Sequence, residues 1–419
     1  MKSIFENILI LAGGDGTRYW PLVHKNSVDY CGRTLLEHQI ERLRPYTGNV
    51  VVVVNPGLRD AVSQKSGITV AVQENVDEGQ AGAVLSARDL VKGEVLIVNA
   101  NDIFDTAVLP EMLQKIESDG LEFAFLAKKV SSYFPGGYVA FDGTRVTGIV
   151  EKPPADQVPS DTVKLVVDYV SDYQSLAEKL QAEDDNTDDR YERGLNALIG
   201  AGKKTSVVYY DSFWHTVKFS WQVLEMLHYF LFAIKEPAID PSAQVSPRAV
   251  VTGPVHIGSN ARIGDFAKIV GPCYIGDDVI IGDYAMVRDS QICRGTLVGG
   301  YSEVTRSYLG EGVMLHRNYV GDSVLDVGVL MGAQAVTANF RFDKGTVKSA
   351  VKGTKIDTGL SKMGTIAGAG AKIGVNSTVL PGVKIGINTF VGPHEVVGSD
   401  VEDNVFVFQG QKRQNDLGK

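Results

Sequence analysis

At 419 residues, with 41 Lys and Arg against 50 Asp and Glu for a formal net charge of −9, the chain exceeds one hydrophobic core and lacks the basic surface of a nonspecific nucleic-acid binder. Its three cysteines (Cys31, Cys273, Cys293) form no CxxC and indicate neither a zinc site nor a disulfide framework, which suits a reducing cytoplasm. The amino terminus is unlike a signal peptide, and no stretch of about 18 apolar residues predicts a membrane span.

The first element is an apolar run, Ile8 to Leu11, that reads as a buried strand. It feeds Gly13, Gly14 and Gly16, then Arg18, Trp20-Pro21 and Lys25. Glycines let backbone N–H groups approach an anion closely, and Arg18 and Lys25 add charge suited to phosphate oxygens. No Gly-Lys-Ser/Thr follows, so this is not a Walker A loop, and Tyr19 excludes the dinucleotide-binding glycine fingerprint. Leu35 to Leu43 has helical apolar spacing with Glu37 and Glu41 on its outer side, and Val50–Val54 and Val95–Val98 read as further strands. This βαβ order predicts a doubly wound, mostly parallel α/β sheet with ligands at the carboxyl ends of its strands, where Asp102 follows Val98. The acidic group Glu183, Asp184, Asp185, Asp188 and Asp189 reads as a solvated loop.

From Ile239 a new period takes over. Aliphatic residues recur every six positions at Ile239, Val245, Val251, Ile257, Ile263, Ile269, Ile275, Ile281 and Val287, and again at Ile373, Val379, Ile385, Val391 and Val397. Glycines at 258, 264, 276 and 282 sit one step on, where a chain must turn a corner. Six-residue repeats of this kind build a parallel β-helix, three strands to a coil. The rhythm breaks between Val304 and Ile366, a stretch expected to carry functional loops. The two patterns predict domains at 1–235 and 236–419.

The amino-terminal signature resembles that of sugar-1-phosphate nucleotidyltransferases. The segments His316-Arg-Asn-Tyr319-Val-Gly-Asp-Ser323 and Met331 to Asp343, with Lys362 to Gly374 and Leu380-Pro-Gly-Val-Lys-Ile-Gly386, resemble the acetyltransferase half of bifunctional N-acetylglucosamine-1-phosphate uridyltransferases, in particular their archaeal-like branch. The resemblance implies that the β-helix is left-handed and that the protein is a homotrimer. It implies an NTP, UTP by analogy, and a sugar-1-phosphate as substrates, Mg²⁺ held by Asp102, and acetyl-CoA as a cosubstrate. Arg18 and Lys25 would hold the triphosphate. Leu11, Ala12, Gly13, Gly14, Gln73, Gly79 and Gln80 would contact the nucleotide. Gly137, Glu151 and Lys152 would contact the sugar and its phosphate. In the β-helix, His316 would be the general base for acetyl transfer, with Arg288, Tyr319 and Asn339 on the acceptor.

The sequence departs from that pattern at particular positions. Trp214-His215-Thr216-Val217-Lys218-Phe219-Ser220-Trp221 carries Thr216 where the family has a second metal-binding aspartate, and Ser220 in place of proline. Thr305 replaces a lysine, Leu330 an asparagine and Gln334 a glycine. A hydroxyl is a poorer Mg²⁺ ligand than a carboxylate. Besides the bifunctional enzyme, two other readings stay open: a nucleotidyltransferase whose β-helix is structural, and a non-catalytic sugar-nucleotide-binding subunit that regulates a partner.

Overall fold

The computed structural model describes residues 4–14, 16, 18–183 and 187–414. The chain divides into two compact units, Met1–Asp15 with Leu35–Thr216, and Gly16–Thr34 with Val217–Lys419.

In the first unit nine strands, among the described residues, form a mixed sheet. Its parallel core runs Thr69–Val72, Thr47–Val54, Phe5–Ala12 and Val95–Asn99 across the sheet. In chain order that is third, second, first, fourth, the doubly wound arrangement with its switch point between Phe5–Ala12 and Val95–Asn99. Beyond Val95–Asn99 the sheet turns antiparallel at Thr162–Val170. The Val50–Val54 run is buried on both faces: Val50, Val52 and Val54 pack with Ile8, Ile10 and the helices Leu35–Leu43 and Val108–Asp119. Val51 and Val53 pack with Leu9, Leu11 and the helices Gly79–Ser86, Tyr173–Ala182 and Arg190–Gly200. A strand covered on both sides has no polar face to alternate with, which is why it reads as five consecutive valines.

The second unit is a left-handed parallel β-helix. Among the described residues its three sheets hold eight, ten and eight strands. Each short strand pairs with its counterpart one coil on, as Ala238–Ile239 with His256–Ile257 and Arg262–Ile263 with Ile280–Ile281. The inward aliphatic of every hexad, from Ile257 to Val397, joins one continuous core. The coil does not stop where the period is lost. Strands Tyr308–Leu309, Met314–Leu315, Tyr319–Gly321, Val324–Leu325, Leu330–Met331 and Val336–Thr337 continue all three sheets. Shorter coil steps (Tyr274 to Gln291, Gln291 to Tyr308, Tyr308 to Val324) blur the hexad. Among the described residues of the solenoid, the chain leaves it between Val336–Thr337 and Ile366–Ala367, where it forms the hairpin Lys348–Val351 with Thr354–Asp357. Among the described residues no helix is long and apolar enough to cross a membrane.

Candidate functional site

The switch point of the first unit gathers the glycine turn and Asp102. Leu11 and Ala12 end the first strand, and the Ala100 N–H donates to the Leu11 carbonyl at 2.9 Å. Gly13 is buried against Gln73: a β-carbon at Gly13 would lie 2.1 Å from Gln73 Oε1, so a side chain there would displace the glutamine amide. Gln73 in turn donates through Nε2 to the carbonyls of Gly79 at 2.8 Å and Asn75 at 3.2 Å. Gly79 takes a positive φ of 58° as it opens the helix Gly79–Ser86. Gln73, Gly13 and Gly79 are thus one cluster, and Gly14 at its edge is exposed. Gln80 Nε2 is buried with no hydrogen-bond partner among the described residues.

Asp102 begins the strand Asp102–Phe104, which pairs antiparallel with Trp214–Thr216, and Thr216 lies directly opposite Asp102. The register puts Thr216 where a second carboxylate would face the first. Both residues are buried, and Asn101 Nδ2 lies 3.2 Å from Thr216 Oγ1 and 3.4 Å from Asp102 Oδ1. Asn101 escaped the sequence reading; its position beside an aspartate at the end of a strand was the available signal. Gln39 Nε2 donates to the carbonyls of Asn99 (3.1 Å) and Asp102 (2.6 Å), holding the turn. A divalent cation here would find one carboxylate, with room in its preferences for nucleotide phosphate oxygens. Among the described residues no three His, Cys, Asp or Glu side chains form a preassembled metal cage.

Gly137 pairs with Glu151 across the antiparallel strands Gly137–Asp142 and Arg145–Glu151. A β-carbon on Gly137 would lie 3.3 Å from Glu151 Oε2 and 4.0 Å from Glu192 Cγ. Lys152, at φ 44°, pairs with Glu151 at 3.0 Å and with Asp188. Of the acidic group, then, Asp188 pairs with a candidate substrate contact and Glu183 with Arg193 at 3.5 Å; Asp184 and Asp185 lie outside the described residues. Behind this wall sits a buried polar cluster that the sequence did not reveal. Lys164 Nζ donates to Asp168 at 2.7 Å, and the Tyr191 hydroxyl donates to the same carboxylate oxygen at 2.8 Å. Burial pushes the Asp168 carboxyl up, opposed by Lys164.

Burial also pushes the Glu192 carboxyl up to about 7, with Lys164 opposing and Glu151 reinforcing the shift. Between its unfolded value of 4.5 and about 7 the folded protein keeps a proton that the unfolded chain has released. This contribution to stability is therefore full below pH 4.5 and is lost as pH rises towards 7. Glu192→Gln is expected to raise the melting temperature at pH 8, by the equivalent of about 1–3 kcal/mol, and to leave it unchanged at pH 4. Equal shifts at both pH values in calorimetry would contradict this origin.

In the second unit, Arg18 is exposed and Lys25 half-buried at the start of the short turn Lys25–Ser27. In the β-helix His316 is exposed at the corner between Met314–Leu315 and Tyr319–Gly321, its N–H bonded to the Asn318 side chain. Tyr319 and Asn339 come together: Asn339 Nδ2 donates to the Tyr319 hydroxyl at 3.2 Å and also to Asp322. Asp322 accepts a two-pronged bond from Arg306, Nε at 2.6 Å and Nη2 at 2.8 Å. Thr305, in the lysine's place, is fully buried and accepts from Arg306 Nη1 at 3.0 Å. Arg288 is held apart from this group in a pair with Glu303 at 2.7 Å. Gln334 keeps a φ of 63° although it is not glycine. Asp322, the centre of the network, was missed because only the coil geometry brings residues 306, 319 and 339 around it.

Residues 7–217 match the nucleotidyl transferase family, and residues 254–289 match the bacterial transferase hexapeptide family (six repeats). Curated relatives span nearly the whole chain. The bifunctional protein GlmU of Methanococcus vannielii is 29% identical over 96% of this chain and 97% of its own length. That of Methanocaldococcus jannaschii is 30% identical over the same shares. A bifunctional sugar-1-phosphate nucleotidylyltransferase/acetyltransferase of Sulfurisphaera tokodaii is 29% identical over 94% of this chain and 97% of its own.

Proposed function

Because the chain belongs to the nucleotidyl transferases that carry hexapeptide repeats, the family of the archaeal bifunctional GlmU proteins, we propose that it couples a nucleoside triphosphate to a sugar-1-phosphate and that its β-helix acetylates an amino-sugar phosphate. The observation that carries the first activity is the meeting of the Gly13–Gln73–Gly79 cluster with Asp102 at the switch point of the sheet. An oxygen of the sugar phosphate attacks the α-phosphorus of the NTP and pyrophosphate leaves. The protein's work is to position the reactants and balance their charge. Gly13 and Gly14 admit the nucleotide close to the backbone. Gln73 and Gln80 face its base, for which the unpartnered Gln80 Nε2 is a ready donor. Arg18 and Lys25 take the triphosphate oxygens. Gly137, Glu151 and Lys152 take the sugar and its phosphate. Asp102 would hold Mg²⁺, which supplies neutralisation of phosphate charge when bound. UTP and N-acetylglucosamine-1-phosphate are the proposed pair. Pyrophosphate release across a grid of NTPs and sugar-1-phosphates, with and without Mg²⁺, tests this; no release with any pair overturns it.

For the second activity, His316 would accept the proton of a sugar amine as it attacks the acetyl-CoA thioester, with Arg288, Tyr319 and Asn339 orienting the acceptor. The commitment of Arg306 to Asp322, and the burial of Thr305, favour an acceptor other than glucosamine-1-phosphate or a β-helix that serves as scaffold. We further propose domains at 1–235 and 236–419 and a cytoplasmic location, supported by three free thiols. A trimer through the β-helix is the proposed assembly, because solenoid faces with exposed Ile280, Met314 and Val396 bury apolar area against copies. Sedimentation is expected to give three times the chain mass at micromolar concentration; a monomer would contradict it.

A further inference from the structure

One outer column of the β-helix is buried where a solenoid usually meets solvent. In the sheet that starts at Ala238–Ile239, the outward positions Gln291, Tyr308, Val324, Ile366 and Lys384 pair in register from coil to coil. None is more than 6% exposed. In the neighbouring sheet the outward residues Arg262, Ile280, Met314 and Lys372 are exposed. The cover is the unit's own chain, residues 18–34 and the helix Gln222–Ala233. Tyr30 stacks on Phe230 of that helix with ring centres 5.2 Å apart and tilts against Tyr308. Gln291 donates to both the carbonyl and the carboxylate of Asp29 at 2.9 Å and accepts from the Cys31 N–H at 2.9 Å.

At the far end of the column is a lysine. Lys384 is 1% exposed; its ammonium lies 5.8 Å from the Trp20 ring and 5.4 Å from the Trp221 ring, and donates to the Ala350 carbonyl at 2.7 Å. The Trp20 indole donates to Asp403 at 2.9 Å, and the Ser220 hydroxyl donates to the Trp20 carbonyl at 3.2 Å. Trp221 stacks on Phe219 at 4.6 Å. Gly368 leaves room for the Pro21 carbonyl, which a β-carbon there would approach to 3.0 Å. Burying an ammonium is unfavourable unless partners replace its water. Two indole faces and a carbonyl do so here, and a cation attracts both rings at once.

We propose that Lys384 is a positioning residue for nucleotidyl transfer: by gripping Trp20 and Trp221 it sets, from the β-helix, the path of the segment that carries Arg18 and Lys25. The proposal rests on the nucleotidyltransferase reading above, and the two fail differently.

The test uses the full chain with Lys384→Met, which keeps the apolar stem and removes the charge, and Lys384→Arg, which restores a cation able to stack on indole. Turnover is read as pyrophosphate release, and the grip as tryptophan emission in a Trp214→Phe background, since the chain has three tryptophans. Lys384→Met is expected to lower kcat by about 10–100-fold, to leave KM for the sugar phosphate within about twofold, and to shift the Trp20 and Trp221 emission to the red. Lys384→Arg is expected to recover most of both. Should Lys384→Met fail to fold by circular dichroism, Trp20→Phe, which weakens the cation–aromatic contact and loses the bond to Asp403, is expected to lower kcat in the same direction. A wild-type chain that releases no pyrophosphate overturns the nucleotidyltransferase reading. An active wild type with an equally active Lys384→Met or Trp20→Phe overturns the Lys384 assignment alone. So does a loss of turnover without an emission change, or one that Lys384→Arg does not repair.

Discussion

Replacing Asp102 by alanine is expected to lower pyrophosphate release by about 10²–10³-fold or more, one of two effects that separate the halves of the protein. On the ribbon formed by Asp102–Phe104 and Trp214–Thr216, Asp102 is the single carboxylate, and the residue facing it is a threonine. Its loss leaves the Thr216 hydroxyl and the Asn101 amide beside the site, which are weak ligands for a hard cation. The reverse change sharpens the point. Thr216→Asp places two carboxylates opposite one another on one two-stranded ribbon, so the variant is expected to need less Mg²⁺ for half-maximal release and to melt lower in chelator than in Mg²⁺. A Mg²⁺ titration of activity and a pair of melting curves check both. Full activity in Asp102→Ala would remove this residue from any metal role.

His316→Ala is expected to lower thiol release from acetyl-CoA, measured with a panel of amino-sugar phosphates, by about 10²–10⁴-fold. The nucleotidyl transfer rate of the same variant is expected to stay within about twofold of the parent, because His316 lies on the β-helix outside the residues matched to the nucleotidyl transferase family. His316 is exposed at a coil corner and so open to an acceptor, while Tyr319 on the next strand of the same coil and Asn339 one coil on are already ordered around Asp322. That order has a consequence for the acceptor: Arg306 is engaged by Asp322 through two bonds, so an acceptor phosphate must compete with a carboxylate for it. Weak turnover of glucosamine-1-phosphate and better turnover of a less anionic amino sugar are the expected ranking. An undiminished rate in His316→Ala, or no thiol release from the wild type with any acceptor, would leave the β-helix a scaffold.

Both folds were legible in the sequence because their signals are local and periodic. A strand buried on two faces must be apolar throughout, as Val50–Val54 is, and a coil that turns every six residues must place an aliphatic inward and a small residue at the corner, as Ile257-Gly258 does. The same locality made Gly13 and Asp102 recognisable, since each follows a predicted strand, whereas Gln73 and Gly79 were recognisable only through the family resemblance. What failed was any inference across coils of unequal length. The steps from Tyr274 to Val324 are shortened, so the hexad is lost to the eye while the hydrogen-bonded stack continues.

The residues that only the tertiary structure assigned share one property: their partners are far away along the chain. Glu192 meets Gly137 and Glu151, Asp322 gathers Arg306 and Asn339, and Lys384 sits between Trp20 and Trp221. An isolated glutamate on a helix or a lysine in a hexad strand reads as a solvated charge, because local pattern records the periodicity of the backbone and not which face another segment will cover. The sequence by itself determined the two architectures and the glycine, aspartate and histidine motifs they display. The covering of one outer column of the β-helix by residues 18–34, which makes a surface lysine into a buried one, was decided by packing between residues more than 350 positions apart.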